Sequence, residues 1–223
     1  MYDIVFISYN EAYAEDNWNL LKSKFPTAKR VDGIKGIHQA HIKAAKKCFT
    51  KMFWVVDADA QLVDDFSFDY EVDYYNLETV HVWRSINPVN DLVYGYGGVK
   101  LLPRKLTVNM DVSKPDMTTS ISDNFKAVET VSNITAFNTD KFSTWRSAFR
   151  ECAKLASKTI DRQNEEETNA RLKTWTTIGH GNFSEYALRG ANAGMEFGTS
   201  NSNSIELIND FDWLYEQFSK HTI

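Results

Sequence analysis

Short apolar runs dominate the first quarter of the chain, and helical stripes dominate its last third. Asp3–Ser8 is a run of apolar residues that predicts a strand. Ala14–Phe25 places Trp18, Leu21 and Phe25 on one helical face, and Pro26 stops it. A short strand at Ala28–Val31 leads into the turn Asp32-Gly33-Ile34-Lys35-Gly36. Ile37, Ala40, Ala44 and Cys48 then recur at helical spacing over Ile37–Phe49, and Met52–Asp57 is the next strand. Strand, helix, strand, helix, strand with such short connections implies parallel pairing through right-handed crossovers.

Beyond Asp59 the pattern changes. Thr79–Arg84, Gly98–Leu102 and Val131–Phe137 predict strands with no helices between the first two. Asn90–Gly97 is a loop rich in Gly and Tyr, and Asp111–Asp123 is polar without a period, which reads as a loop. Helices are expected at Trp145–Thr159, Asn164–Trp175, Glu185–Ala193 and Asp210–Ser219, with Thr199–Ser204 as a linker-like loop. The expected fold class is α/β: a Rossmann-like mixed, mostly parallel sheet flanked by helices. We expect one domain over 1–223, with a nucleotide-binding half at 1–110 and a mainly helical acceptor half at 111–223.

Composition narrows the class. In 223 residues, 43% are hydrophobic and 25% charged, as in a globular protein. No apolar run approaches a membrane span. The start reads as a first strand rather than a leader, so the cytoplasm (a host's, for a phage protein) is the default location. Cys48 and Cys152 sit in predicted helices beside apolar residues and are expected as buried free thiols. The net charge of −5 argues against a wholly basic nucleic-acid sheath, though not against a local basic groove.

The chemistry concentrates in Phe53-Trp54-Val55-Val56-Asp57-Ala58-Asp59. An apolar strand ending in Asp-x-Asp delivers two carboxylates to the carboxyl edge of a sheet, where ligands of open α/β sheets bind. Carboxylates suit Mg²⁺ or Mn²⁺, which clamp phosphates. If the strand persists through Asp59, both side chains share a face. The ordinary alternative is a pair of acids capping a turn. A phosphatase of the haloacid dehalogenase type is disfavoured, because Gln61 stands where such enzymes carry Thr or Val and the strand is internal. Lys35 and Gly36 precede a helix N-terminus, where anions are favoured. Arg30 lies just upstream. Gly97 and Gly98 allow a ligand close to the backbone.

Arg146, Arg150, Lys154 and Lys158 are four apart and form a basic stripe, which is either a solvated helix face or a track for a phosphate backbone. His180, in Gly179-His180-Gly181-Asn182, is a candidate third metal ligand beside Asp57 and Asp59. His41 is a candidate donor contact. Glu151 and Glu185 are the candidate general bases.

Read together, Arg30 to Ala60 resembles the front half of GT-A glycosyltransferases, with Ser8-Tyr9-Asn10-Glu11 at the base-binding loop, Lys35-Gly36 at the turn and Asp57-Ala58-Asp59 at the strand end. Glu185–Gly194 resembles the acidic helix of inverting members, although Glu185-Tyr186 replaces their usual Glu-Asp. Val82–Pro103 and Ala136–Glu151 resemble the phage TET-associated glycosyltransferases, a family linked to sugar transfer onto 5-hydroxymethylpyrimidines in DNA. The resemblance implies a UDP-sugar donor, Mn²⁺ or Mg²⁺, and an acceptor of 5-hydroxymethylcytosine DNA, for which Arg84, Lys100, Arg104, Arg146, Arg150 and Lys154 are candidate contacts. It implies that Ser8, Tyr9, Asn10, Glu11, Arg30, Lys35, Gly36, Asp57, Asp59, Gly97 and Gly98 hold the donor. Transfer to a glycan, lipid or protein, nucleotidyl transfer, and a non-catalytic nucleotide-binding module remain open on the same fold.

Overall fold

Alternation along the first strands divides their side chains between two apolar layers. The computed structural model describes residues 1–222 apart from Tyr96 and 159–163. In chain order it forms β1 (Asp3–Ser8), α1 (Ala14–Lys24), β2 (Lys29–Asp32), α2 (Ile37–Lys46), β3 (Met52–Asp57), β4 (Ala60–Leu62), β5 (Val80–Ile86), β6 (Val93–Tyr94) and β7 (Val99–Pro103). Then follow α3 (Arg104–Val108), α4 (Met117–Ile121), β8 (Phe125–Thr135), α5 (Lys141–Ser157), α6 (Glu165–Thr177), α7 (Ser184–Ser200) and α8 (Phe211–Thr222). Ile4, Phe6, Trp54, Val56 and Leu101 pack with Ala14 and Leu21 of α1. Val5, Phe53, Val55 and Leu102 pack with Ala44 and Ala45 of α2. Because both faces are covered, these strands are continuously apolar rather than alternating.

The chain divides into two compact units: residues 1–86 with 93–136, and residues 87–92 with 137–223. The first carries the eight-stranded sheet, in the order β2-β1-β3-β7-β5-β8-β4 with β6 on β5. Pairing is parallel at β1–β2, β1–β3 and β5–β8. Hence β1, β2, β3, β5 and β8 run one way, while β4, β6 and β7 run the other. The expected mixed, mostly parallel α/β sheet is present, and β1 to β3 with α1 and α2 form the expected βαβ front.

Three elements depart from expectation. β8 is longer and begins earlier than Val131, and its register against β5 shifts on either side of Arg84. Such bulges bend a strand. The segment Asp111–Asp123 contains α4, whose cap Asp116 accepts from the N–H groups of Thr118 and Thr119, and whose Met117 and Ile121 join the α2-side layer. A single helical turn is too short to show a period. Residues 199 and 200 continue α7, and 3₁₀ turns over Ser202–Asn209 follow, anchored by buried Ile205 and Ile208. Thr159 of the expected helix at Trp145–Thr159 lies outside the described residues.

The second unit centres on α5 against α7. Gly190, Gly194 and Gly198 recur every fourth residue. A Cβ at each would press on the backbone carbonyls of Trp145, Phe149 and Ala153 respectively. Trp145 and Phe149 stack, and α8 adds Leu214 and Phe218 around them. The segment 87–92 belongs to this unit through His180, whose N–H donates to the Val89 carbonyl at 2.9 Å. Both cysteines are buried free thiols; burial pushes Cys48 up to about 12.

Candidate functional site

At the carboxyl end of β1 and β2, register puts Arg30 opposite Phe6 and Asp32 opposite Ser8. All four side chains fall on the α1 face. The buried Ser8 Oγ donates to Asp32 Oδ1 at 2.6 Å and accepts from Arg30 Nε at 2.9 Å. The Arg30 guanidinium also meets Glu15 of α1 at 2.7 Å and Asp32 at 3.4 Å. It lies over the rings of Phe6 and Trp18, 5.8 and 5.9 Å from their centroids. Arg30 is therefore fixed from four sides. Tyr9, Asn10 and Glu11 follow as an exposed loop, in which the Tyr9 N–H donates to Glu11 Oε2 at 2.7 Å. Gly33 turns the chain with a φ of +68° and donates its N–H to the Ser8 carbonyl at 3.1 Å.

The opposite face of the same edge holds a second network. Val55 pairs with Lys100, so Asp57, two residues on, points to the α2 side with Lys100. The Lys100 ammonium donates to Asp57 Oδ2 at 2.6 Å and to the Gly97 carbonyl. The lysine side chain is 3% exposed and the Asp57 side chain 33%. Burial pushes the Asp57 carboxyl above its ordinary range, against the pull of Lys100. On α2, His41 is buried. Its Nδ1 donates to the Ile37 carbonyl at 2.8 Å, which leaves Nε2 as an acceptor, and that atom has no hydrogen-bond partner in the protein. Burial, with the nearby Lys100 charge, holds His41 down at about 3, so its imidazole is neutral. The N-terminus of α2 follows Gly36, with no side-chain cap and no acid in its first turn. Lys35 beside it is exposed.

β3 ends at Asp57, and Asp59 stands in the turn to β4, where its carbonyl accepts from the Ala136 N–H at 2.7 Å. The condition for a shared strand face is therefore unmet. The bend in β8 brings Asn133 against Gly98, where a Cβ would meet the Asn133 amide nitrogen at 2.6 Å. Tyr96, between Gly95 and Gly97, lies outside the described residues.

These residues fit a divalent ion poorly. One carboxylate oxygen of Asp57 is committed to an ammonium, and among the described residues no three His, Cys, Asp or Glu side chains cluster for a metal. Like unit charges about 4 Å apart repel by about 4 kcal/mol at an effective dielectric of about 20, and a dication sharing Asp57 doubles that. His180, expected as a third ligand, lies in the second unit and its Nε2 pairs with Asp91 Oδ2 at 2.9 Å.

The residues expected to contact DNA already meet protein groups. Lys100 is buried and bonded to Asp57 and the Gly97 carbonyl. Arg84 pairs with Glu129 at 3.4 Å, and Arg104 Nε donates to the Ala45 carbonyl at 3.2 Å. On α5, Arg146 lies over the rings of Phe142 and Phe211, Arg150 donates to Asn209 at 2.9 Å, and Lys154 meets Glu151 at 3.4 Å. Lys158 pairs with Glu165 at 2.9 Å. Of the candidate bases, Glu151 is buried and Glu185 is exposed in the first turn of α7.

Sequence reading missed Asp32, Glu15 and Asn133, and assigned Lys100 to another role. A lysine within the apolar strand Val99–Pro103 was the available signal, since a buried ammonium requires an acid nearby. Nothing in the sequence marks Asn133.

No protein-family model and no curated protein matches the chain. Several solved structures are similar to it, two of which follow. One is the mannosyltransferase PcManGT from Pyrobaculum calidifontis, in complex with GDP-Man and Mn²⁺. It has a TM-score of 0.43 and 12% identity, covering 99% of this chain and 84% of that one. The other is HddC from Yersinia pseudotuberculosis, with a TM-score of 0.35 and 12% identity, covering 59% of this chain and 92% of that one.

Proposed function

We propose that the carboxyl edge of β1, β2 and β3 binds a nucleotide sugar, and that the protein is a glycosyltransferase of the GT-A type. The observation that carries this reading is the convergence of two polar networks at one sheet edge: Arg30–Ser8–Asp32 on one face and Lys100–Asp57 on the other. Open α/β sheets bind ligands at this edge. In this reading Ser8–Glu11 and Arg30 hold the nucleoside. Lys35, the N-terminus of α2 and the Gly97–Gly98 segment receive the diphosphate, as helix N-termini and close-approach glycines do elsewhere. The donor is a UDP-sugar, following the sequence resemblance.

The acceptor we propose is the hydroxymethyl group of modified cytosine in DNA, as the TET-associated resemblance implies. Its oxygen bonds to the anomeric carbon, the bond from that carbon to the phosphate oxygen breaks, and the nucleoside diphosphate leaves with the electron pair. The hydroxyl proton passes to a carboxylate. Of the two candidate bases, Glu185 is exposed and Glu151 is buried beside Lys154. The target base must be flipped or single-stranded for its hydroxymethyl group to enter.

The test is incubation of the purified protein with UDP- and GDP-sugars and hydroxymethylcytosine DNA, with Mn²⁺ or with EDTA, followed by nucleoside mass spectrometry. A mass gain of one glycosyl residue on hydroxymethylcytosine is expected. Donor hydrolysis with unmodified DNA would move the reading to a glycan, lipid or protein acceptor. Donor binding with neither hydrolysis nor transfer would favour a nucleotide-binding module.

A further inference from the structure

We propose that Lys100, rather than a divalent ion, is the cation that receives the donor's diphosphate at the end of β3, with Asp57 as the residue that positions it. The inference rests on the nucleotide-sugar reading and assigns the charge within that site. Four observations carry it. The ammonium stands at the carboxyl end of β3, between its last residue and the Gly97 carbonyl. Two of its three N–H groups have acceptors, and no third acceptor lies within hydrogen-bond distance among the described residues. Gly97 has a φ of +95°, and no atom beyond its chain neighbours lies within 4 Å of where its Cβ would stand, so the backbone there is open on its Cβ side. Lys100 itself is buried, so its charge acts in a medium that screens it little.

Asp57 then has a different task from the one its Asp-x-Asp setting suggests. Its Oδ2 holds the ammonium in place, and its partly exposed position keeps the pair at the rim of the sheet. Asp59 stands in the turn beyond β3 rather than on the strand. The uncapped N-terminus of α2 contributes partial positive charge on the same side. A buried lysine, a helix terminus and an open glycine supply what phosphate oxygens need: charge, N–H donors and room.

The experiment is calorimetric titration of the full chain with UDP and GDP, in EDTA and in Mn²⁺. Binding in EDTA is expected within about threefold of that in Mn²⁺, and Lys100→Met is expected to weaken it about 100-fold, the loss of one charge-assisted contact. Asp57→Asn is expected to weaken binding by less than about tenfold and to leave the response to Mn²⁺ unchanged. Thermal unfolding checks that each variant folds. If Lys100→Met does not fold, Lys100→Arg, which keeps the charge, is expected to retain binding within about tenfold in EDTA. Binding that appears only with Mn²⁺, and that Asp57→Asn abolishes, would overturn the assignment while leaving the nucleotide-sugar reading intact. Binding of neither nucleotide, nor of any nucleotide sugar, in either condition would overturn both.

Discussion

Glycine has opposite uses in the two units. In the first, Gly33 and Gly97 take left-handed backbone conformations beside open space, and their lack of a side chain leaves room at a polar edge. In the second, Gly190, Gly194 and Gly198 lie inside a regular helix and leave no room, because the carbonyls of α5 fill the place of each Cβ. The first use keeps a surface accessible and the second lets two helices touch through their backbones. The same contrast holds for cations. Lys100 is held by the carboxylate of Asp57 and the Gly97 carbonyl at the end of the sheet, whereas Arg146, Arg150 and Lys154 are engaged with rings and acceptors of the second unit.

The sharpest way to break this contrast is Gly194→Val. Valine there meets the backbone of Phe149, and forced overpacking with a backbone shift should destabilise the second unit by about 3 kcal/mol or more. Even Gly194→Ala should lower stability, although Gly→Ala in an unobstructed helix gains roughly 0.5–1 kcal/mol. Chemical denaturation reads both, and a stabilised Gly194→Ala would remove the close seam.

Next in size is the acid response of the first unit. His41 takes up a proton near pH 6.5 when unfolded, but only at about pH 3 when folded. The unfolded chain therefore binds more protons between those values. Stability should fall as pH drops below 6.5, by up to about 1.4 kcal/mol per pH unit from this group. His41→Gln should flatten that slope in denaturation series at pH 7, 6 and 5. An unaltered slope would place the sensitivity elsewhere.

Gly33→Ala should cost about 1–2 kcal/mol, from left-handed backbone strain alone, since no atom lies near the added carbon. A larger loss would mean that the position is crowded after all. The smallest effect is expected for Arg150→Met. Losing its bond to Asn209 should cost about 1 kcal/mol of stability and leave nucleotide binding unchanged. An unchanged melting temperature with weakened DNA binding would return α5 to the role of a nucleic-acid track.

Much of the first unit was legible because its signals are local. β1 and β3 begin and end where the apolar runs do, and α1 begins where its stripe does. The Asp-x-Asp ending of β3 located the edge where both networks form. What escaped depended on partners distant in sequence. Whether Lys100 faces solvent or Asp57 is decided by antiparallel pairing of β7 with β3, which no local period reports. The first residues of β8 are mostly exposed and mix Phe125, Ala127 and Val128 with Lys126, Glu129 and Thr130, and a half-exposed strand of that kind carries a weak signal. The row of basic residues on α5 was correctly spaced, but spacing says nothing of Asn209 or Phe211, which come from farther along the chain and engage it. The fourfold repeat of Gly190, Gly194 and Gly198 was visible and could have been read as a helix seam.

The tip between β5 and β6 joins the second unit, although the chain on both sides of it belongs to the first. A ribosome delivers that tip well before His180 emerges, and nascent chains fold from the N-terminus onward. The sheet thus spends part of its birth with a hairpin end awaiting its clasp, and a chain cut after Ala136 would keep the tip and lose its holder for good.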